Sequence, residues 1–326
     1  MKASDAPPEV SFLVALHAGD DTVGNAIASA LAQHDVTSEV IVVDDCSPGG
    51  TAPAACELAS RHPDRVRVVC RERNGGPAAA RNDAIAIARG HWVAVLDSDD
   101  TIAPGRTRAM LALAGDADAM IDNPVVLRDG AAVSMFPDTA WEALGQIDLA
   151  TFARRNGLFE RGFTLGYAKP MIRRSVLRRH GIRYDEALRI GEDYQLLADL
   201  LAVGARLRAV PVSGYRYHVR EGSISRVLSL DHVHALRAAD ARHRALWPDQ
   251  TASVANAIEA RAASLRRAEA FLGIVDALKE GRWRDAVGLS MRCPEATRLL
   301  AIPVAARLGR LRDRIVGAPA RGGSVR

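Results

Sequence analysis

Along the first half of the chain, short apolar runs alternate with alanine-rich amphipathic stretches. This alternation predicts strands of a parallel sheet joined by crossover helices. Residues 10–16 read as a buried strand and 22–33 as a helix with Val23, Ile27 and Leu31 along one face. Further strands follow at 40–43, 66–70 and 92–96, and helices at 51–61 and 77–89, the second opened by Pro77. Acids follow two of these strands directly: Asp44-Asp45, and Asp97-Ser98-Asp99-Asp100. Open parallel sheets bind ligands beyond the carboxyl ends of their strands, so both groups fall at the predicted binding edge.

From about residue 115 the pattern turns mixed. Strand-like runs at 124–127, 133–136 and 207–211 surround helices at 148–155, 173–180 and 192–203. These features predict a single catalytic domain over residues 1–227, its donor half at about 9–114 and its acceptor half at about 115–227. Beyond it, Val254, Ile258, Leu265, Leu272 and Val275 keep helical periodicity, which predicts a helical C-terminal region over 228–326 ending in a disordered basic tail. Within that region Leu308, Leu311 and Ile315 recur at helical spacing among Arg307, Arg310, Arg312 and Arg314. Such a segment suits either an anionic membrane surface or packing on the catalytic domain.

Composition narrows the class. With 48% apolar and 25% charged residues, the chain has the make-up of a folded protein rather than a disordered one. Cys46, Cys56, Cys70 and Cys293 form no CxxC pair, so they read as reduced thiols rather than a disulfide framework or a zinc site. No stretch reaches the roughly 18 apolar residues of a membrane span. The expectation is a cytoplasmic protein, with peripheral contact at the inner membrane face through its C-terminal region. The net charge of +4 is spread along the chain and no nucleic-acid-binding motif accompanies it, so nucleic acid is not an expected partner.

A carboxylate pair leaving a buried strand, as in Asp97-x-Asp99, is what a divalent cation beside phosphates requires. Several segments then fall in a familiar order. Val10-Ser11-Phe12-Leu13-Val14, Val43-Asp44-Asp45-Cys46-Ser47, Asn74-Gly75-Gly76 with Ala80-Arg81-Asn82, Leu96-Asp97-Ser98-Asp99-Asp100, and Gly191-Glu192-Asp193 together resemble the inverting family 2 glycosyltransferases. The resemblance covers about residues 10–225. It implies the GT-A fold, an α/β arrangement with a Rossmann-like, mostly parallel central sheet between flanking helices, followed here by the helical C-terminal region.

The activity it implies is transfer of a hexose from a nucleotide-sugar, UDP-glucose or similar, to a saccharide or lipid-linked saccharide with inversion, assisted by Mn2+ or Mg2+. By the resemblance, Asp45 hydrogen-bonds the uracil or ribose, Ala15 lines the base pocket, Arg81 shapes the donor pocket, and Asp97 and Asp99 engage ribose and metal. Asp193 is the implied general base, taking the proton of the attacking hydroxyl. Residues 215–226 look like the strand and loop that close over the diphosphate, with His218 a candidate metal ligand and Arg220 and Ser223 candidate phosphate contacts. Residues 163–170, which include Lys169, resemble the acceptor side of exopolysaccharide glucosyltransferases of the succinoglycan type, and Glu192 is placed with the acceptor too.

Two departures matter. His17-Ala18 stands where the family carries a Pro-Ala-Tyr-Asn-like turn, and no QxxRW motif follows Asp193, which argues for one sugar per encounter rather than processive synthesis. A dinucleotide-dependent oxidoreductase is a poor rival, because the first turn lacks GxGxxG and sets acids where a pyrophosphate would lie. The remaining alternative is a GT-A-like module that binds a glycan or a partner without turnover.

Overall fold

The computed structural model describes residues 6–18, 22–128, 130–159, 164–219 and 228–300. Four strands, β1 (Val10–Leu16), β2 (Ser38–Asp44), β3 (Val66–Cys70) and β4 (Trp92–Val95), run parallel in the order β3-β2-β1-β4. Helices α1 (Val23–Leu31), α2 (Pro53–Arg61) and α3 (Pro77–Ile87) connect them. The unbroken apolar runs of β1 and β2 arise because both sheet faces are covered. Phe12, Val14, Val40 and Val42 join the core that contains α1, while Leu13, Ile41 and Val43 join the core that contains α3.

After β5 (Thr101–Ile102) and α4 (Arg106–Ala112) comes β6 (Ala119–Asp122). A hairpin of β7 (Val125–Arg128) and β8 (Ala131–Ser134), helix α5 (Asp138–Glu142), β9 (Gln146–Ile147) and α6 (Leu149–Arg154) follow. The chain then forms β10 (Met171–Arg173), α7 (Arg174–His180), α8 (Glu192–Ala202), β11 (Leu207–Val210) and β12 (Tyr215–His218). The central sheet continues beyond β4 as β10-β6-β11-β9, with β10 antiparallel to both of its neighbours, so the sheet as a whole is mixed. A second, small sheet in the order β5-β12-β7-β8 lies next to the carboxyl end of β4 in sequence. It is tied to the main sheet by Asp122 at the end of β6, which accepts the backbone N–H groups of Gly214 and Tyr215 and pairs with buried Arg106.

The chain divides into two compact units, Met1–Ala262 and Ala263–Arg326. The first therefore runs past the boundary expected at 227. Helix α9 (Leu230–Leu246) and the start of α10 (Ala252–Lys279) belong to it. His243 of α9 binds Asp199 of α8 at 2.7 Å, and Arg261 of α10 lies over the Tyr194 ring and donates to Asp240. α9 buries a narrow apolar stripe of Val233, Leu236 and Ala239, and polar residues fill most of its other positions, which hid this packing. In the second unit the rest of α10, α11 (Trp283–Arg292) and α12 (Pro294–Arg298) pack around Phe271, Ile274, Ala277, Ala286 and Ala296. No helix among the described residues is long and apolar enough to cross a membrane. The amphipathic segment expected at 305–316 lies outside the described residues.

Candidate active site

Both acid groups leave their strands at the same sheet edge, as parallel pairing of β2, β1 and β4 requires. Asp44 and Asp45 divide the work. Asp44 is a turn residue: its carboxylate accepts from the Ser47 N–H and hydroxyl and from the Thr51 hydroxyl. Cys46, directly after Asp45, takes a left-handed φ of 60°. Asp45 faces the other way, taking the N–H groups of Gly75 (2.8 Å) and Gly76 (2.6 Å) and the Arg71 guanidinium (2.6 Å). Gly76 opens α3 at φ 88°, a region that favours glycine, and a β-carbon there would run into Arg189. A carboxylate offers about four acceptor positions, so Asp45 keeps about one for a ligand. Ala15 of β1 lies beside Val43 in the β1–β2 register and is partly buried.

The centre of the site is a buried charge network. Arg81, on α3, donates from Nη2 to Asp97 at 2.7 Å and from Nη1 to Glu192 at 2.6 Å and Asp193 at 3.3 Å. Lys169, just before β10, bridges the same divide, its Nζ 2.9 Å from Asp97 and 2.7 Å from Asp193. Tyr184 completes the set: its hydroxyl donates to Asp193 at 3.0 Å, and its ring lies under the Arg81 guanidinium. Asn82 fixes Tyr184 by exchanging hydrogen bonds with its backbone N–H and carbonyl. Two cations, from α3 and from just before β10, thus join three carboxylates, one after β4 and two on α8.

Glu192 and Asp193 occupy the first turn of α8, after Gly191 at φ 82°, where a β-carbon would sit 2.5 Å from the Leu236 side chain. Their carboxylates go to Arg81 and Lys169, so the helix dipole alone does not account for them. Burial acts against charge at each carboxylate, but the outcomes differ. Lys169 and Arg81 outweigh burial at Asp97 and hold its carboxyl at about 2. At Asp193 Arg81 and Lys169 also win, and its carboxyl lies below the usual range. At Glu192 burial and the Asp193 charge prevail and push it up. Burial and the Asp193 charge likewise push the Tyr184 hydroxyl well up, so it stays a donor.

Beyond Asp97 the acids form a second group. Carboxylate oxygens of Asp97, Asp99 and Asp100 lie within 4.8 Å of one another, a spacing able to hold a metal ion. Asp100 is buried and accepts from the Tyr215 hydroxyl and the His218 N–H, both at 2.8 Å. Burial, with Asp97 and Asp99 beside it, pushes its carboxyl well above the usual range. The donor set is hard oxygen, suited to Mg2+ or Mn2+. His218 is not brought into this group; its Nε2 lies 3.0 Å from the Thr101 hydroxyl. Arg220 and Ser223 lie outside the described residues.

Sequence reasoning missed Tyr184, Arg71 and the structural part played by Asp100. Arg71 had a signal, because it directly follows β3 at the same edge as the acids. Tyr184 had none, lying in the loop between α7 and α8 without local periodicity.

Parallel β-α units, a strand-end acid cluster and an acid at the start of a late helix define a GT-A-like α/β protein. The comparisons with known proteins are specific about the family. The family described as Glycosyl transferase family 2 matches residues 11–181. Succinoglycan biosynthesis protein ExoO of Rhizobium meliloti (strain 1021) is 47% identical over 96% of this chain and 90% of its own length, and ExoU of the same strain is 39% identical over 68% and 65%. The chain belongs to glycosyltransferase family 2. The fold also matches S. aureus TarS 1-349 in complex with UDP-GlcNAc (TM-score 0.63, 20% identity, 88% of this chain and 81% of that one). It matches the Pyrobaculum calidifontis mannosyltransferase PcManGT in complex with GDP-Man and Mn2+ as well (TM-score 0.60, 17% identity, 93% and 81%).

Proposed function

We propose that this chain transfers a hexose from a UDP-sugar to a hydroxyl of a saccharide or lipid-linked saccharide, with inversion, during assembly of an exopolysaccharide. The observation that carries the reading is the joining of Asp97 to Asp193 through Arg81 and Lys169, which sets a donor-side acid and a base candidate on the same two cations. Support for the pathway comes from the identity to ExoO along almost the whole chain, and support for UDP from the TarS complexes that carry UDP and UDP-GlcNAc.

In this reading Asp193 accepts the acceptor's hydroxyl proton while that oxygen bonds the anomeric carbon and the bond from that carbon to the diphosphate oxygen breaks. Arg81 and Lys169 keep Asp193 ionised before the proton arrives, and Tyr184 fixes one of its oxygens. Asp45, with Ala15 beside it, reads the nucleoside, and Asp97 and Arg81 shape the donor pocket. Lys169 and Glu192, both in contact with the Asp193–Arg81 network, are proposed to act on the acceptor side. Asp97, Asp99 and Asp100 would hold a divalent cation, which when bound offsets the negative charge of the departing diphosphate. Arg220, Ser223 and His218 are proposed to act near the diphosphate, and peripheral contact with a membrane fits a lipid-linked acceptor.

The test is a panel of nucleotide-sugars with Mn2+, read by thermal shift and by release of free nucleoside diphosphate. One UDP-sugar stabilising the protein and releasing UDP on addition of acceptor is the expected result. Binding without turnover for every acceptor would favour a non-catalytic module.

A further inference from the structure

A polar cavity of about 380 Å3 opens at the other end of β4, lined by Gly90, His91, Arg173, Arg174, Ser175 and Arg178. Residues 92 and 97 are five strand positions apart, so it lies about 16 Å from the acid cluster. Its arginines are held in an unusual way. Arg173 donates to the carbonyls of Ala117 (2.6 Å) and Gly115 (2.9 Å) and lies over the Trp92 ring, 4.4 Å from its centroid. Arg174 donates to the carbonyls of Gly90 (2.7 Å) and Arg89 (3.1 Å). None of these acceptors carries charge. The acids closest in sequence to Ala117 are committed elsewhere: Asp116 binds Arg206 and Arg208, and Asp118 binds Arg206. No carboxylate among the described residues forms an ion pair with Arg173, Arg174 or Arg178.

Carbonyl acceptors fix a guanidinium in place without neutralising it. Two fixed guanidinium groups with their Nη1 donors outside these bonds, the Arg178 cation one turn along α7 and the Ser175 hydroxyl therefore surround an uncompensated cavity. The floor is tight as well: a β-carbon on Gly90 would sit 2.5 Å from the Ser11 nitrogen, which keeps this turn pressed against β1 and the cavity in shape. Guanidinium forks match the oxygens of phosphate in both charge and geometry.

We propose that this cavity is a second anion site, which takes a phosphate group away from the transfer centre. A phosphate can come from a soluble phosphate compound or from an anionic lipid headgroup, and the two are separable. Arg178 is exposed and holds no structural contact, so Arg178→Glu should fold normally. The full chain, free of divalent metal, would be titrated with inorganic phosphate by calorimetry, and separately sedimented with phosphatidylcholine vesicles containing phosphatidic acid. Arg244→Glu, an exposed site elsewhere with the same change of net charge, is the control.

Saturable phosphate binding that Arg178→Glu weakens about tenfold or more, while Arg244→Glu leaves it intact, is the expected result. Vesicle binding with the same dependence on Arg178 would identify a lipid headgroup as the source, and its absence a soluble one. Absence of both kinds of binding, or equal loss in the two variants, would overturn the proposal.

Discussion

Asp193 and Asp100 are both buried carboxylates of the first unit, but the chain balances them differently. Asp193 has its counter-charges built in: Lys169 and Arg81 touch it, and its carboxyl is held below the usual range. Asp100 receives only neutral donors, Tyr215 and the His218 N–H, and stands beside Asp97 and Asp99 with its carboxyl well above the usual range. A base must be ionised before substrate arrives, so a protein cation suits it. A metal group must keep charge in reserve for a cation from solution, so an acid such as Asp100, with neutral donors only, suits that task. A buried acid thus serves two electrostatic purposes according to whether Arg81 and Lys169 reach it, as they reach Asp193 and Asp97 but not Asp100.

The largest effect expected from breaking this comparison is at Asp193. Asp193→Asn should cut transfer by about two to four orders of magnitude while UDP-sugar affinity stays near normal. Initial rates and donor titrations check this; loss of donor binding instead would make Asp193 a donor-site residue.

Lys169→Met comes next. Removing one of two cations raises the Asp193 carboxyl from its depressed position, so the acid limb of the pH–rate profile should move to higher pH by about one unit. Turnover should also fall about tenfold at neutral pH as Asp193 loses a hydrogen bond that places it. An unmoved acid limb would show that Lys169 does not set the charge of the base.

The smallest effect lies at the α8–α9 junction. His243 is held by Asp199 and by Asp185, bonds and charges that raise it above its ordinary value against burial. Because the folded state binds the proton more tightly, this stabilisation is complete below about pH 6.5 and is lost as pH rises through the raised folded value. His243→Gln should therefore destabilise by about 1 kcal/mol near pH 6 and by less in alkaline solution, measured by urea unfolding. A gap that widens with pH would contradict this.

Much of the donor half was legible in sequence, since strands covered on both faces leave unbroken apolar runs. β3 at Val66–Cys70 and the helix starting at Pro77 are found where periodicity put them. The acids after β2 and β4 could be read from position alone. The links between the halves could not, because ion pairs between residues far apart in sequence leave no period. Arg81 reaches Glu192 across 111 positions, and nothing near Lys169 announces that it joins Asp97 to Asp193. β10 escaped for a related reason: its antiparallel insertion beside β4 uses only Met171–Arg173, too few residues for an alternation to show. His218 was read as a metal ligand from its type; that its Nε2 faces the Thr101 hydroxyl follows from the pairing of β5 with β12, which local sequence does not show.

The contrast between the two acid groups is tested most directly by UDP binding to the wild type and to Asp99→Asn, each with Mn2+ and with chelator. The account predicts that Mn2+ tightens UDP binding at least about tenfold in the wild type and has no effect in the variant, since Asp100 receives only neutral donors from the protein and the metal supplies the cation. Equal UDP affinity with and without Mn2+ in the wild type would contradict it.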